Sequence, residues 1–77
     1  MVDVLFFAEL QEAAGSNKVT VEADGLTLME LKKNLLNTYE LNGLDKAMIA
    51  INEEYAQNDA VLRTGDTVAF IPPVSGG

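Results

Sequence analysis

The residues with the clearest chemical potential close the sequence: Ile71-Pro72-Pro73-Val74-Ser75-Gly76-Gly77. Gly76 and Gly77 carry no β-carbon, so a carboxylate at Gly77 could enter a channel too narrow for other residues. There it could be adenylated, converted to a thioacid and held against a substrate. Pro72 and Pro73 restrict the base of this segment to extended geometry, which lowers the ordering cost of inserting it. The six residues from Pro72 to Gly77 reach about 20 Å when extended. Glycine makes up about 7% of average sequences, so a closing pair is uncommon by chance. An ordinary frayed end is the competing reading.

Other reactive groups are few. The 77 residues contain no Cys and no His. That removes side-chain thiol chemistry, disulfides and the commonest metal ligand and acid–base group. Twelve Asp and Glu stand against five Lys and Arg, for a net charge of −7. Nucleic-acid binding rests on neutralising phosphates, so this balance argues against it and against anionic membrane surfaces. It also assigns any phosphorylated substrate to a partner protein. The acidity serves either solubility or a basic partner, and the sequence leaves both open. Glu53 and Glu54 read as solvated turn residues, Lys32 and Lys33 as the outer face of a helix, and Arg63 and Asp66 as turn stabilisers. No apolar run is long enough for a membrane span. Met1-Val2-Asp3-Val4 lacks the basic start of a signal peptide, so a cytoplasmic location is expected.

The elements that must carry the terminal segment follow from periodicity. Val2 to Ala8 reads as a strand with apolar residues on both faces, suited to the centre of a sheet or to a sheet whose second face meets a partner. Glu9 to Ala14 is a helical turn stopped by Gly15. Lys18 to Ala23 alternates as a second strand, paired with the first through a turn at Ser16-Asn17. Asp24-Gly25 is a turn. Thr27 and Glu30 form a capping box that starts a helix. Leu28, Leu31, Leu35 and Tyr39 give that helix an apolar stripe, widened by Met29 and Leu36, and Leu41-Asn42-Gly43 ends it. Ala47 to Asn52 is a strand, Tyr55-Ala56 a possible short one, and Thr67 to Ile71 the last, closed by Pro72. The order predicts an α+β domain over residues 1–71, one helix on a mixed sheet, with a flexible tail over 72–77.

Alternation also marks a surface. If the helix covers Val4, Phe6, Val68 and Phe70, then Phe7 and Ile71 project from the opposite face as an apolar patch beside the tail. Leu5 and Ala69 share that face, and Leu5 suits core or patch equally.

Three stretches resemble the MoaD family, the sulfur-carrier small subunits of molybdopterin synthase: Val4-Leu5-Phe6-Phe7-Ala8, Gly65-Asp66-Thr67-Val68-Ala69-Phe70, and the closing Ile71-Pro72-Pro73-Val74-Ser75-Gly76-Gly77. The likeness runs over essentially the whole chain. It implies a β-grasp (ubiquitin-like) fold with the first and last strands parallel neighbours. It implies that an adenylating enzyme similar to ubiquitin-activating enzymes (MoeB-like) uses ATP with Mg to activate Gly77. A sulfur donor would then give a thiocarboxylate. A large subunit (MoaE-like) would take up the tail, Pro72 to Gly77, and sulfurate cyclic pyranopterin monophosphate, on the way to molybdenum cofactor. The small subunit itself would bind no cofactor and be catalytically inert alone. The resemblance adds Tyr55 to Phe7 and Ile71 as a partner contact. Three other readings share the Gly-Gly ending or the fold: a ThiS-like carrier for thiamin-thiazole synthesis, a ubiquitin-like protein modifier, and a plain β-grasp interaction module.

Overall fold

A computed structural model describes residues 1–39 and 44–72, apart from the Asp45 side chain. Eight elements follow in chain order: β1 (Val2–Phe6), α1 (Glu9–Ala14), β2 (Lys18–Val21), α2 (Leu28–Thr38), a 3₁₀ turn (Leu44–Lys46), β3 (Met48–Ile51), β4 (Glu54–Tyr55) and β5 (Thr67–Ile71). The five strands form one sheet in the order β2-β1-β5-β3-β4. β1 pairs with β5 in parallel, and every other pairing is antiparallel. This is the expected β-grasp, with the first and last strands side by side at the centre.

Two strands stop earlier than alternation predicts. β1 ends at Phe6 because Ala8 takes a left-handed φ of 52° and the Phe7 carbonyl accepts from the Leu10 amide at 3.1 Å. The chain thereby turns out of the sheet into α1, and Leu10 is buried beneath it. β2 ends at Val21 because Ala23 to Leu26 forms a turn, with the Leu26 amide donating to Ala23. Gly25 makes that turn with φ 82°, a region that glycine enters without a β-carbon clash.

The capping box forms as read. The Thr27 amide donates to Glu30 Oε1 at 3.0 Å, and the Glu30 amide donates to Thr27 Oγ1 at 3.3 Å. Both otherwise unpaired amides at the start of α2 are thus satisfied. Leu28, Leu31 and Leu35 are buried, but the buried stripe is narrower than expected. Met29 and Leu36 are 48% and 45% exposed, because at 3.6 residues per turn each stands about 100° round from Leu28 and Leu35. Lys32 also departs from a plain outer face. It is half-buried, and its Nζ donates to Asn58 Oδ1 at 3.2 Å, tying α2 to the segment after β4. α2 stops at Thr38, with Tyr39 already extended at φ −125° and ψ 151°. It therefore ends short of the expected Leu41-Asn42-Gly43, which lies outside the described residues, and Tyr39 packs from beyond the helix.

The core lies between α2 and one face of the sheet. Val2, Val4 and Phe6 of β1 and Val68 and Phe70 of β5 point into it, all at most 1% exposed. Phe6 stacks on Phe70 with ring centroids 6.1 Å apart and meets Tyr39 edge-on at 6.3 Å. These geometries suit the quadrupoles of the rings. No buried side-chain nitrogen or oxygen lacks a partner among the described residues. None of the described helices is long and apolar enough to cross a membrane.

Two polar details carry testable consequences. Asn52 and Glu53 join β3 to β4 with φ values of 51° and 71°, the pattern of a type I′ hairpin, whose second position favours Gly. Asn tolerates this region; Glu carries a β-carbon against it at a cost of roughly 1–2 kcal/mol. Glu53→Gly is therefore expected to stabilise the free domain by about 0.5–1 kcal/mol after the added chain entropy of Gly, seen as a melting temperature higher by a few degrees. The second detail is Asp24. It accepts from the Thr64 hydroxyl and from the Met1 ammonium group at 3.0 Å. The Thr64 hydrogen bond first, and the Met1 amine second, hold its carboxyl below the ordinary value of 3.8. A depressed folded-state pKa contributes stability that is full above the unfolded value and lost as pH falls through the folded one. Acid titration of Asp24→Ala should therefore show a shallower loss of stability below about pH 4 than the parent chain.

Candidate functional site

The face of the sheet away from α2 has no helix over it among the described residues. Side chains alternate across a strand, so the residues between the buried ones stand on this face. Register then sorts them into rows. The middle row runs Lys18, Leu5, Ala69, Ala50, Tyr55 across all five strands. Beside it toward the end of β5, Ile71 pairs with Met48, and Phe7 follows β1 there. On the other side lie Thr20, Asp3 and Thr67, with Asn52 next to them.

The rows enclose an open groove of about 620 Å³, lined by Leu5, Phe7, Ala50, Asn52, Glu53, Tyr55, Thr67, Ala69 and Ile71. Its floor is low because Ala69 and Ala50 are directly paired neighbours. Its walls are high because Leu5 and Tyr55 flank them in the same row. Tyr55 is 73% exposed and Phe7 45% exposed, whereas Ala50, paired with Tyr55 on one side and Ala69 on the other, is only 8% exposed.

Polar groups are confined to two borders. Asn52 clips the β3–β4 turn to the start of β5. Its Nδ2 donates to Asp66 Oδ1 at 3.0 Å, and its Oδ1 accepts from the Thr67 amide at 3.0 Å. Asp66 in turn accepts from the Arg63 amide at 2.9 Å, so the turn role read for Asp66 holds, while Arg63 takes part through its main chain. Along β2, Lys18 Nζ lies 3.6 Å from Asp3 Oδ2, and Thr20 Oγ1 donates to Asp3 Oδ1 at 3.1 Å. These solvent-exposed contacts contribute little to stability, but they frame the apolar centre.

The structure brings Phe7, Tyr55 and Ile71 into one groove. Tyr55 reaches it because the hairpin folds β4 back along β3 and pairs Tyr55 with Ala50. Leu5, equally suited to core or patch on sequence, is half-buried and lines the groove. Pro72, at the base of the tail, is buried directly after Ile71. Pro73, Val74, Ser75, Gly76 and Gly77 lie outside the described residues. Sequence reasoning placed Ala69 on this face without a role, and it missed Ala50 and Asn52. The alternation in Met48-Ile49-Ala50-Ile51 could have put Ala50 there, but only the β3–β5 register sets it beside Ala69. Glu53, read as a solvated turn residue, is exposed and also borders the groove.

Comparison with known proteins agrees with this fold. The model of the ThiS family matches residues 4–77. Over 81 aligned positions covering all of both chains, the sequence is 36% identical to the molybdopterin synthase sulfur carrier subunit of Escherichia coli K12. Among solved structures, the fold is similar to that in the protein–protein complex of subunits 1 and 2 of the molybdopterin-converting factor from Helicobacter pylori. There the TM-score is 0.67 at 30% identity, covering 99% of this chain and 97% of the other. It is also similar to the small archaeal modifier protein 1 of Methanosarcina acetivorans, with a TM-score of 0.80 at 25% identity, covering 99% and 95%. With a parallel central strand pair, one covering helix and a family match that runs through the Gly-Gly segment, the chain belongs to the ThiS family, and molybdopterin synthase sulfur carrier subunits are among its full-length relatives.

Proposed function

We propose that this chain is the sulfur-carrier subunit of a molybdopterin synthase and that the main-chain carboxylate of Gly77 is its working group. The observation that carries this reading is the end-to-end match to a molybdopterin synthase sulfur carrier subunit. The carboxylate attacks the α-phosphorus of ATP, with Mg, in the active site of an adenylating enzyme, and pyrophosphate leaves. The resulting acyl-adenylate has a good leaving group where the carboxylate had none. A sulfide-level donor then attacks the carbonyl carbon and displaces AMP, giving the thiocarboxylate. The large subunit receives the loaded tail and supplies the site at which its sulfur attacks cyclic pyranopterin monophosphate. The work is cytoplasmic, where ATP is available.

The chain's own side chains fit this division of labour. It contains no Cys or His to divert the sulfur or compete for it. Its net charge of −7 leaves the phosphate-bearing substrate to the partner. In this reading Phe7, Tyr55 and Ile71 are the anchors by which the domain docks, since exposed aromatic and large apolar groups around a groove are the usual carriers of binding energy. A second reading, a protein modifier joined to target lysines through Gly77, draws on the similarity to small archaeal modifier protein 1. The two diverge after activation: a modifier yields covalent conjugates, a carrier yields a thioacid.

Incubation with the adenylating enzyme, Mg-ATP and a sulfur donor is expected to raise the intact mass by the difference between sulfur and oxygen. Deletion of Gly77 should abolish that shift and leave the melting temperature unchanged. An unshifted mass in the parent chain, or a ladder of lysine conjugates in its place, counts against the carrier reading. Phe7→Ala and Ile71→Ala are each expected to weaken large-subunit binding by about tenfold, or ~1.4 kcal/mol, measured by titration calorimetry on folded variants.

A further inference from the structure

The paired alanines at the centre of the open face are the least expected feature of the sheet. Alanine is a poor strand former, and an exposed sheet face ordinarily carries β-branched or aromatic residues. Here two alanines occupy adjacent strands in direct register, between Leu5 on one side and Tyr55 on the other. The row reads large, small, small, large. Phe7 and Ile71 close one end of the depression, and the polar residues stay at the other. The groove of about 620 Å³, with Asn52, Glu53 and Thr67 at one end and an apolar floor and walls over the rest, has room for a whole side chain. Local preference is given up here at two positions in register, and such departures concentrate where a surface is used.

The tail fixes what must lie against this groove. Pro72 is buried at the end of β5, and the five residues beyond it reach at most roughly 17 Å. A protein that draws Gly77 into a buried site must therefore sit against the domain close to Ile71, which is itself a wall of the groove. A relative of known structure is found in complex with a second subunit.

Resting on the carrier reading above, we infer that Ala69 and Ala50 form a socket that receives one bulky apolar side chain, aromatic or branched aliphatic, from the large subunit. The small size of these two residues, beyond the apolar character of the face, makes them determinants of partner specificity. Filling the socket adds apolar surface at a position with a better strand former, so it leaves the free domain folded while it excludes the incoming side chain.

The test is binding of the cognate large subunit, immobilised, to Ala69→Leu, Ala69→Ser and Phe7→Ala, each first checked by circular dichroism and thermal melting. Ala69→Leu is expected to melt at or above the parent temperature and to bind at least about tenfold more weakly. Ala69→Ser, which keeps the residue small, is expected to bind like the parent chain. Parent-like affinity of Ala69→Leu with loss in Phe7→Ala overturns the socket and leaves the docking face standing. Parent-like affinity in all three variants overturns both. Equal loss in the Ser and Leu variants also overturns the socket, because size is then not what is read. Should Ala69→Leu fail to fold, Ala69→Val decides by the same criteria.

Discussion

Strand β5 lies between β1 and β3, and its parallel register with β1 sets Phe70 beside Phe6, one from the end of the chain and one from its beginning. Everything else depends on that pairing. A parallel pair cannot be closed by a tight turn, so the connection carries the rest of the chain across the sheet. That crossover includes α2, which covers one face and buries Val4, Phe6, Val68 and Phe70. The same register carries Ile71 and Pro72 out next to Phe7, so the tail begins at the rim of the open face. Contacts between such distant segments form only after loop-closure entropy has been met, and the dense aromatic and aliphatic packing at the centre offsets that cost.

A single helix can cover only one side of a five-stranded sheet. The uncovered side of this one is apolar where it need not be and low at its centre. Its polar residues are held at the margins by their own hydrogen bonds, with Asn52 bound to Asp66 and Thr67 and Asp3 bound to Thr20. A second cohesive layer is absent from that side among the described residues, and Phe7 and Tyr55 there remain exposed. The proposed carrier chemistry on a main-chain carboxylate suits this economy, because such a carrier needs only a rigid base for its tail and a face for partners to grip.

How much of this was legible depended on the range of the signal. The capping box at Thr27 and Glu30, the stop at Gly15, the turn at Arg63 to Asp66 and the two-faced character of β1 are local, and each was readable from neighbours in sequence. Met29 and Leu36 were misplaced because a stripe read as apolar type alone ignores the angular width that one sheet face can cover. Phe7 and Ile71 were legible as a patch through simple alternation. Tyr55 came only by resemblance, since nothing near it in sequence says that β4 folds back to the same groove. Glu53 gave no sign of its left-handed φ, because Asn-Glu lacks the glycine that usually announces such a hairpin.

The sequence by itself determined the element order, the buried faces of the strands and the chemistry open to the chain. Types and spacing decide those: no Cys or His, two prolines before two glycines, apolar residues at periods of two and of three to four. The tertiary structure alone decided which residues become neighbours across strands. Leu5, Ala69, Ala50 and Tyr55 are scattered along the chain and fall into one row only through the registers of β1, β5, β3 and β4. A slip of one residue in any of them would turn the row to the other face, and no local pattern fixes the register between distant strands.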